Sequence, residues 1–208
     1  MPVGTPVKSP LRDRRRAAVE RIALDLALEL GYDAVTVEMI CDAALVSPST
    51  FFNYFGSKER AVLGPEPAPL EEDRLAVFAA GTGDALTDLM LMLVATWPDD
   101  PAERELMLRR LDLTERTAAL RGAHIARIDR ASELVEQAAL LRLGGERAAD
   151  PPERATQQAT ERAQMLVALS HAAMHWMIRR LRVEPATPWP VLVDRAVTEL
   201  RAVAGGSQ

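Results

Sequence analysis

Between Ser47 and Lys58 the sequence SPSTFFNYFGSK concentrates small, uncharged hydrogen-bonding side chains around two buried-type aromatics. Phe51 and Phe55 stand four residues apart and so share one face of a short helix, which they would anchor. Ser49, Thr50, Phe52, Asn53 and Tyr54 divide the rest of that helix surface. These types have a defined chemistry against double-stranded DNA. Asn pairs bidentately with adenine, and Ser or Thr bonds several base edges. Tyr54 is able to donate to a phosphate or pack on a thymine methyl. Lys58 opens the next helix and is suited to a phosphate. No Lys or Arg lies between Ser47 and Lys58. Charge for affinity must therefore come from Lys58, Arg60 and an arm made of Arg12, Arg14, Arg15 and Arg16.

Other residues able to do chemistry lack partners in the sequence. His171 and His175 are four apart on one helical face, a metal-ligand spacing, but no zincin glutamate follows His171 and no third ligand is evident. The alternative is a buried or interfacial pair of histidines. His124 faces either a ligand cavity or core and solvent. Trp97 and the Met90/Met92 pair suit either an adaptable pocket or plain core packing. Cys41 has no electropositive neighbour that would activate it, so a buried packing role is expected. No nucleotide loop, Ser-His-Asp arrangement or paired carboxylates in a metal spacing occurs. The expectation is a protein that is not an enzyme and uses neither cofactor nor metal.

The elements that must position these side chains are legible from spacing and caps. Residues 1–10 hold three prolines and a glycine and are expected to form a flexible leader. From Leu11 to Leu30, Val19, Ile22, Ala23, Leu26, Ala27 and Leu30 recur at three- and four-residue steps, which predicts an amphipathic helix ended by Gly31. Thr36 reads as an N-cap with Glu38 in the first turn. Ser47 reads as a second N-cap with Pro48 at the first helical position. Two short helices, 37–44 and 48–55, thus follow one another across about three residues, the layout of a helix-turn-helix. Gly56 stops the second, and Ser57 caps a fourth helix. The proline-rich stretch from Gly64 to Pro69 separates a head, residues 11–63, from a helical body, residues 70–204. Body helices are expected at about 70–80, 83–97, 102–113, 117–143, 152–182 and 189–204.

Composition agrees with an all-α chain. Apolar residues reach 48% of the 208 while aromatics are only 4%, so Ala, Leu, Val and Met supply the core. The net charge of −5 argues against nucleic acid until its distribution is read. Residues 1–64 carry eight basic and eight acidic side chains, and the body carries the whole excess of acid. A basic cluster before an acidic body fits a DNA-binding head on a partner domain; a solvated tail is the alternative for the arm alone. One cysteine excludes an intrachain disulfide. No apolar stretch approaches a membrane span, and the N-terminus has no secretory core, so a cytoplasmic protein is expected.

Thr36-Val37, Ile40-Cys41-Asp42-Ala43-Ala44, Val46 to Phe55 and Ser57-Lys58-Glu59, preceded by Leu30-Gly31-Tyr32, resemble the N-terminal signature of the TetR family of transcriptional regulators. The resemblance covers roughly residues 15–62. It implies a homodimer, a double-stranded DNA operator, an unidentified small-molecule effector bound in the C-terminal helices, and repression relieved by that effector. It also implies a phosphate contact for Thr36, DNA contacts for Ser47, Thr50, Phe52, Asn53 and Tyr54, and a backbone contact for Lys58. The effector pocket is expected among Leu93, Trp97, His124, Ile128, Met165 and Leu169, and the dimer face on the last two helices. Two positions depart from the family. Leu45 replaces the usual turn glycine, which demands either negative φ or strain of about 1 kcal/mol. Phe52 replaces a frequent phosphate-binding tyrosine. The competing function is a helical adaptor that binds proteins without reading DNA.

Overall fold

The structure, a computed structural model, describes residues 10–64, 71–144 and 152–205. The leader before Pro10, Lys8 in it, the prolines at 65, 67 and 69, and the break from 145 to 151 lie outside the described residues. Among the described residues every regular element is helical. They are α1 (Pro10–Leu30), a single 3-10 turn (Tyr32–Ala34), α2 (Val37–Ala44), α3 (Pro48–Phe55), α4 (Lys58–Leu63), α5 (Glu72–Ala79), α6 (Ala85–Val94), α7 (Pro101–Arg116), α8 (Ala118–Gly144), α9 (Pro152–Val183) and α10 (Trp189–Ala204). The 3-10 turn has no counterpart in the sequence reading. Its three residues are too few to show a period.

The chain divides into two compact units. The first takes in Met1–Glu66 and Arg109–His124; the second takes in Pro67–Leu108 and Ile125–Gln208. The second half of α7 and the start of α8 thus group with the head.

In the first unit α1 packs against α2 and α4, and α2, α3 and α4 pack in succession. Its core is Val19, Ala23, Leu24, Ala27, Val35, Ile40, Cys41, Phe51, Phe55, Ala61 and Val62. The apolar stripe of α1 is rotated from the expected one: Leu24 is buried and Leu30 is exposed. Glu20, which lies outside that stripe, is buried as well. It is held by two guanidiniums, Arg16 at 3.1 Å and Arg110 at 3.4 Å, which offset the desolvation of its charge. Arg109 pairs with Asp25 at 2.7 Å. The residues of α7 in this unit are therefore bound to two successive turns of α1.

In the second unit α6, α9 and α10 pack mutually, and α5 lies on α6. One apolar cluster gathers Met90, Val94, Met177, Leu181, Trp189, Leu192 and Val193; another gathers Phe78, Leu89, Val135, Ala139, Ala163 and Leu166. Buried arginines close both. The Arg104 guanidinium lies 4.4 Å from the Trp189 ring centroid and donates to the carbonyls of Pro98, Pro185 and Thr187. Arg142 sits over Phe78 and donates to the carbonyls of Phe78 and Gly83 and to Asp88.

Candidate nucleic-acid interface

Three consecutive helices start on side-chain caps. The Thr36 hydroxyl oxygen accepts from the Met39 N–H, Ser47 from Thr50 and Ser57 from Arg60, each at 3.2 Å. Each cap satisfies one of the backbone donors that a helix start leaves open. Thr36 is exposed at the N-terminal end of α2. A helix start of this kind attracts anions.

The turn between α2 and α3 runs through Leu45 at φ 53° and ψ 45°, the left-handed region. Its N–H closes on the carbonyls of Asp42 and Cys41. Of the two options open to this leucine, the backbone adopts the strained one. The side chain is 92% exposed and gains nothing from packing in return.

On α3, Phe51 and Phe55 are buried with ring centroids 5.2 Å apart. Burial of each ring contributes about 2–3 kcal/mol to holding the helix on the head. Ser47, Ser49, Phe52 and Asn53 are exposed, and Thr50 and Tyr54 are half-buried. Phe52 keeps 51% of its surface open. The hydroxyls of Ser47 and Thr50 bond each other at 2.9 Å, which pre-orients both. The exposed helix surface is thus neutral, with one amide able to make a bidentate contact.

The arginine arm is the first two turns of α1, beside this surface. Arg12, Arg14 and Arg15 are exposed and Arg16 is half-buried. The Arg12 guanidinium lies 5.7 Å from the Tyr54 ring centroid and that of Arg16 lies 5.6 Å from Phe55. Cation–π attraction therefore places two of the four positive charges against the aromatic side of α3.

Lys58 is half-buried at the start of α4. Its ammonium donates to the carbonyls of Tyr32 at 2.8 Å and Val35 at 2.7 Å, and sits 4.2 Å from the Tyr32 ring centroid. No sequence signal marks this seat, because both acceptors are backbone atoms more than twenty positions away. Glu38 is exposed beside Thr36. Its carboxyl is held below the usual carboxylate range by its own backbone N–H and by the Thr36 hydroxyl. Burial, Asp42 and Glu38 push the Cys41 thiol up, which disfavours the reactive thiolate.

The residues expected to line an effector pocket are dispersed. Leu93 packs against the cluster containing Phe78, Trp97 meets Trp189 edge-on at 5.0 Å, and Met165 is 59% exposed. His124 belongs to the first unit, whereas Ile128 and Leu169, both half-buried, belong to the second. None of the six lines an open cleft of about 510 Å³ in the second unit, whose lining includes Val77, Phe78, Leu91 and Met92 together with the charged Asp73, Arg74, Asp88 and Arg142. His171 is paired with Ser132 at 3.0 Å, and His175 is exposed. The Ser132 hydroxyl donates to the Ile128 carbonyl, so it accepts from His171 Nε2. Among the described residues no three His, Cys, Asp or Glu side chains converge as metal ligands, and no helix is long and apolar enough to cross a membrane.

Residues 21–60 match the family of bacterial regulatory proteins, tetR family. Residues 21–60 of the head thus carry the tetR-family helix-turn-helix signature. The match ends inside α4, so it covers α2, α3 and the turn at Leu45. The chain is also 42% identical over 79 residues to the HTH-type transcriptional regulator TcmR of Streptomyces glaucescens. That likeness takes in 36% of this chain and 34% of the relative, about a third of each. A solved transcriptional regulator of the TetR/AcrR family from Thermobifida fusca YX-ER1 superposes with a TM-score of 0.42 at 19% identity, over 88% of this chain and 94% of that one.

Proposed function

We propose that this protein is a homodimeric transcriptional regulator that binds a double-stranded DNA operator through α3 and is released from it by a small molecule, acting as a repressor. The observation that carries the reading is the division of α3. Phe51 and Phe55 fix it to the head while Ser49, Phe52 and Asn53 stay exposed. A helix anchored by one aromatic face, with uncharged side chains including two polar ones on the other, fits the major groove. Thr36 with the start of α2 supplies a phosphate seat, and Arg12, Arg14 and Arg15 supply charge without sequence information.

The dimer reading has support on α9. Met165, Ala168, Ala172, His175 and Arg179 recur at three- and four-residue steps and are all exposed. The small side chains of Ala168 and Ala172 in this stripe, beside apolar Met165, suit close helix approach in a four-helix contact, with His175 and Arg179 continuing it as polar groups. The release reading draws on the apolar cleft walled by Phe78 and Met92.

An electrophoretic shift of the DNA upstream of the protein's own gene tests the proposal. A shift that survives excess unrelated duplex supports it, and a dimer by sedimentation supports its symmetry. Equal loss of the shift to any competitor at low salt would remove sequence-specific binding and leave an adaptor.

A further inference from the structure

We propose that Phe52 seats the 5-methyl group of a pyrimidine in the major groove, so that binding depends on thymine, or on 5-methylcytosine, at the base pair the ring meets. The inference rests on the DNA-binding reading of α3.

Phe52 stands on the open face of α3. Ser49 lies three residues before it and Asn53 four after Ser49, so the three share one side of the helix. All three are exposed, while Phe51 and Phe55 on the other side are buried. An aromatic ring left in water forgoes the stabilisation that covering it would return. Its orientation is nonetheless constrained. The Phe52 and Phe51 ring centroids are 5.6 Å apart with planes at 86°, an edge-on contact. Phe51 is fully buried, so this contact ties the open ring to the core of the head. A ring restrained in this way gives up little freedom when something packs on it.

The occupant follows from chemistry. Phenylalanine has no hydroxyl or amide, so it can bond neither a phosphate oxygen nor the donors and acceptors of a base edge. The apolar group that the major groove displays is the 5-methyl of thymine. The surroundings of the ring favour a nucleic acid over an apolar protein partner. Ser49 and Asn53 offer a hydroxyl and an amide beside it, and Arg12, Arg14 and Arg15 are exposed on α1. The Arg12 guanidinium lies 5.7 Å from the ring centroid of Tyr54 on the same helix as Phe52. These charges suit phosphates and leave base reading to α3. A methylated cytosine carries the same group at the same ring position. Methylation of a cytosine facing Phe52 is therefore read as a gain in affinity.

The test removes the methyl group and the ring in turn. The probe is a duplex that the parent protein enriches from a randomised pool, with binding followed by fluorescence anisotropy. Each thymine is exchanged singly for deoxyuridine, which keeps the base pair and deletes the methyl. At the position facing Phe52 the exchange is expected to weaken the parent roughly fourfold, the hydrophobic worth of one buried carbon. With cytosine placed there instead, 5-methylcytosine should bind tighter than cytosine by roughly the same factor. In Phe52→Ala both differences should vanish, because ring and methyl form one coupled pair. Each comparison is made within one protein, so a general loss of affinity cancels. Phe52→Gln, polar and of similar reach, carries the same expectation if the alanine protein does not fold.

A parent indifferent to every deoxyuridine exchange would overturn the seat. So would a methyl effect that persists in the Phe52 variant, which would assign the contact to another side chain such as Tyr54. A 5-methylcytosine duplex no tighter than its cytosine counterpart would overturn it as well. If the parent enriched no sequence, the DNA reading itself would fall, and this role with it.

Discussion

Leu45 is the residue at which chain and fold disagree. A non-glycine residue in the left-handed region costs on the order of 1–2 kcal/mol, and an exposed side chain returns none of it. Leu45→Gly should relieve that strain. The added freedom of glycine in the unfolded chain takes back about half, leaving a gain of roughly 0.5–1 kcal/mol. Thermal unfolding should shift up by about 2 °C, and a lower midpoint would show that Leu45 holds something the free protein needs. Glu38 supports a second prediction at this scale. Its carboxylate occupies its own N–H and the Thr36 hydroxyl, the donors a phosphate would take. Glu38→Gln should therefore tighten binding to all duplexes and steepen the salt dependence, as titration in parallel with the parent would reveal. The candidate surface was largely readable from residue types: Phe51 and Phe55 are buried as their spacing demands, and Ser49, Phe52 and Asn53 are exposed. The seat of Lys58 and the burial of Glu20 were not readable. Lys58 is seated on backbone oxygens, and the guanidinium that covers Glu20 beside Arg16 comes from Arg110, ninety positions on; spacing carries no trace of either.

At the scale of elements, caps decided most boundaries. Thr36, Ser47 and Ser57 each accept the bond their position predicts, and Gly56 ends α3 at φ 73°. Ser47→Ala removes both the Thr50 N–H bond and the hydroxyl pair with Thr50. It should cost about 1 kcal/mol, seen as a lower unfolding midpoint in urea. The N-cap of α6 makes a pH-dependent contribution. Partial burial raises the Asp84 carboxyl, but the Thr87 hydroxyl, the Thr87 N–H and Arg201 outweigh it, and the net position lies below the ordinary value. A carboxyl that is more acidic folded than unfolded stabilises fully above its unfolded value, about pH 4. That contribution disappears as the pH falls through the folded value. Melting temperature should thus decline on acidification below about pH 4 less steeply in Asp84→Asn than in the parent; parallel curves would deny Asp84 this role. The rotated stripe of α1 was beyond sequence reading because it depends on what packs against it, the 3-10 turn is too short to show a period, and residue types left Leu45 open between two backbone conformations.

At the scale of the molecule, the sequence divides the chain at a proline-rich stretch, while compactness also assigns Arg109–His124 to the head's unit. The charges that bind this segment, Arg109 to Asp25 and Arg110 to Glu20, join residues far apart in sequence. In the other unit Arg104 gathers the segments around Pro98 and Thr187. Arg104→Ala would leave three carbonyls and a tryptophan face without their donor, and should destabilise by about 3 kcal/mol, measurable by denaturant unfolding. A loss below about 1 kcal/mol would mean that water replaces the guanidinium there. The effector site was the least legible feature. The helical period of α6, α8 and α9 marks their apolar residues without saying which of them face a cavity.

The central claim is that α3 reads DNA through neutral side chains. Sequence selection from a randomised duplex pool, run in parallel with the parent and with Asn53→Ala, tests it most directly. The parent should enrich a two-fold symmetric site. The variant should enrich the same site with one position in each half relaxed, where an amide–adenine pair worth about 1–3 kcal/mol has been lost. Identical sites from both proteins, or no enrichment by the parent, would contradict the account.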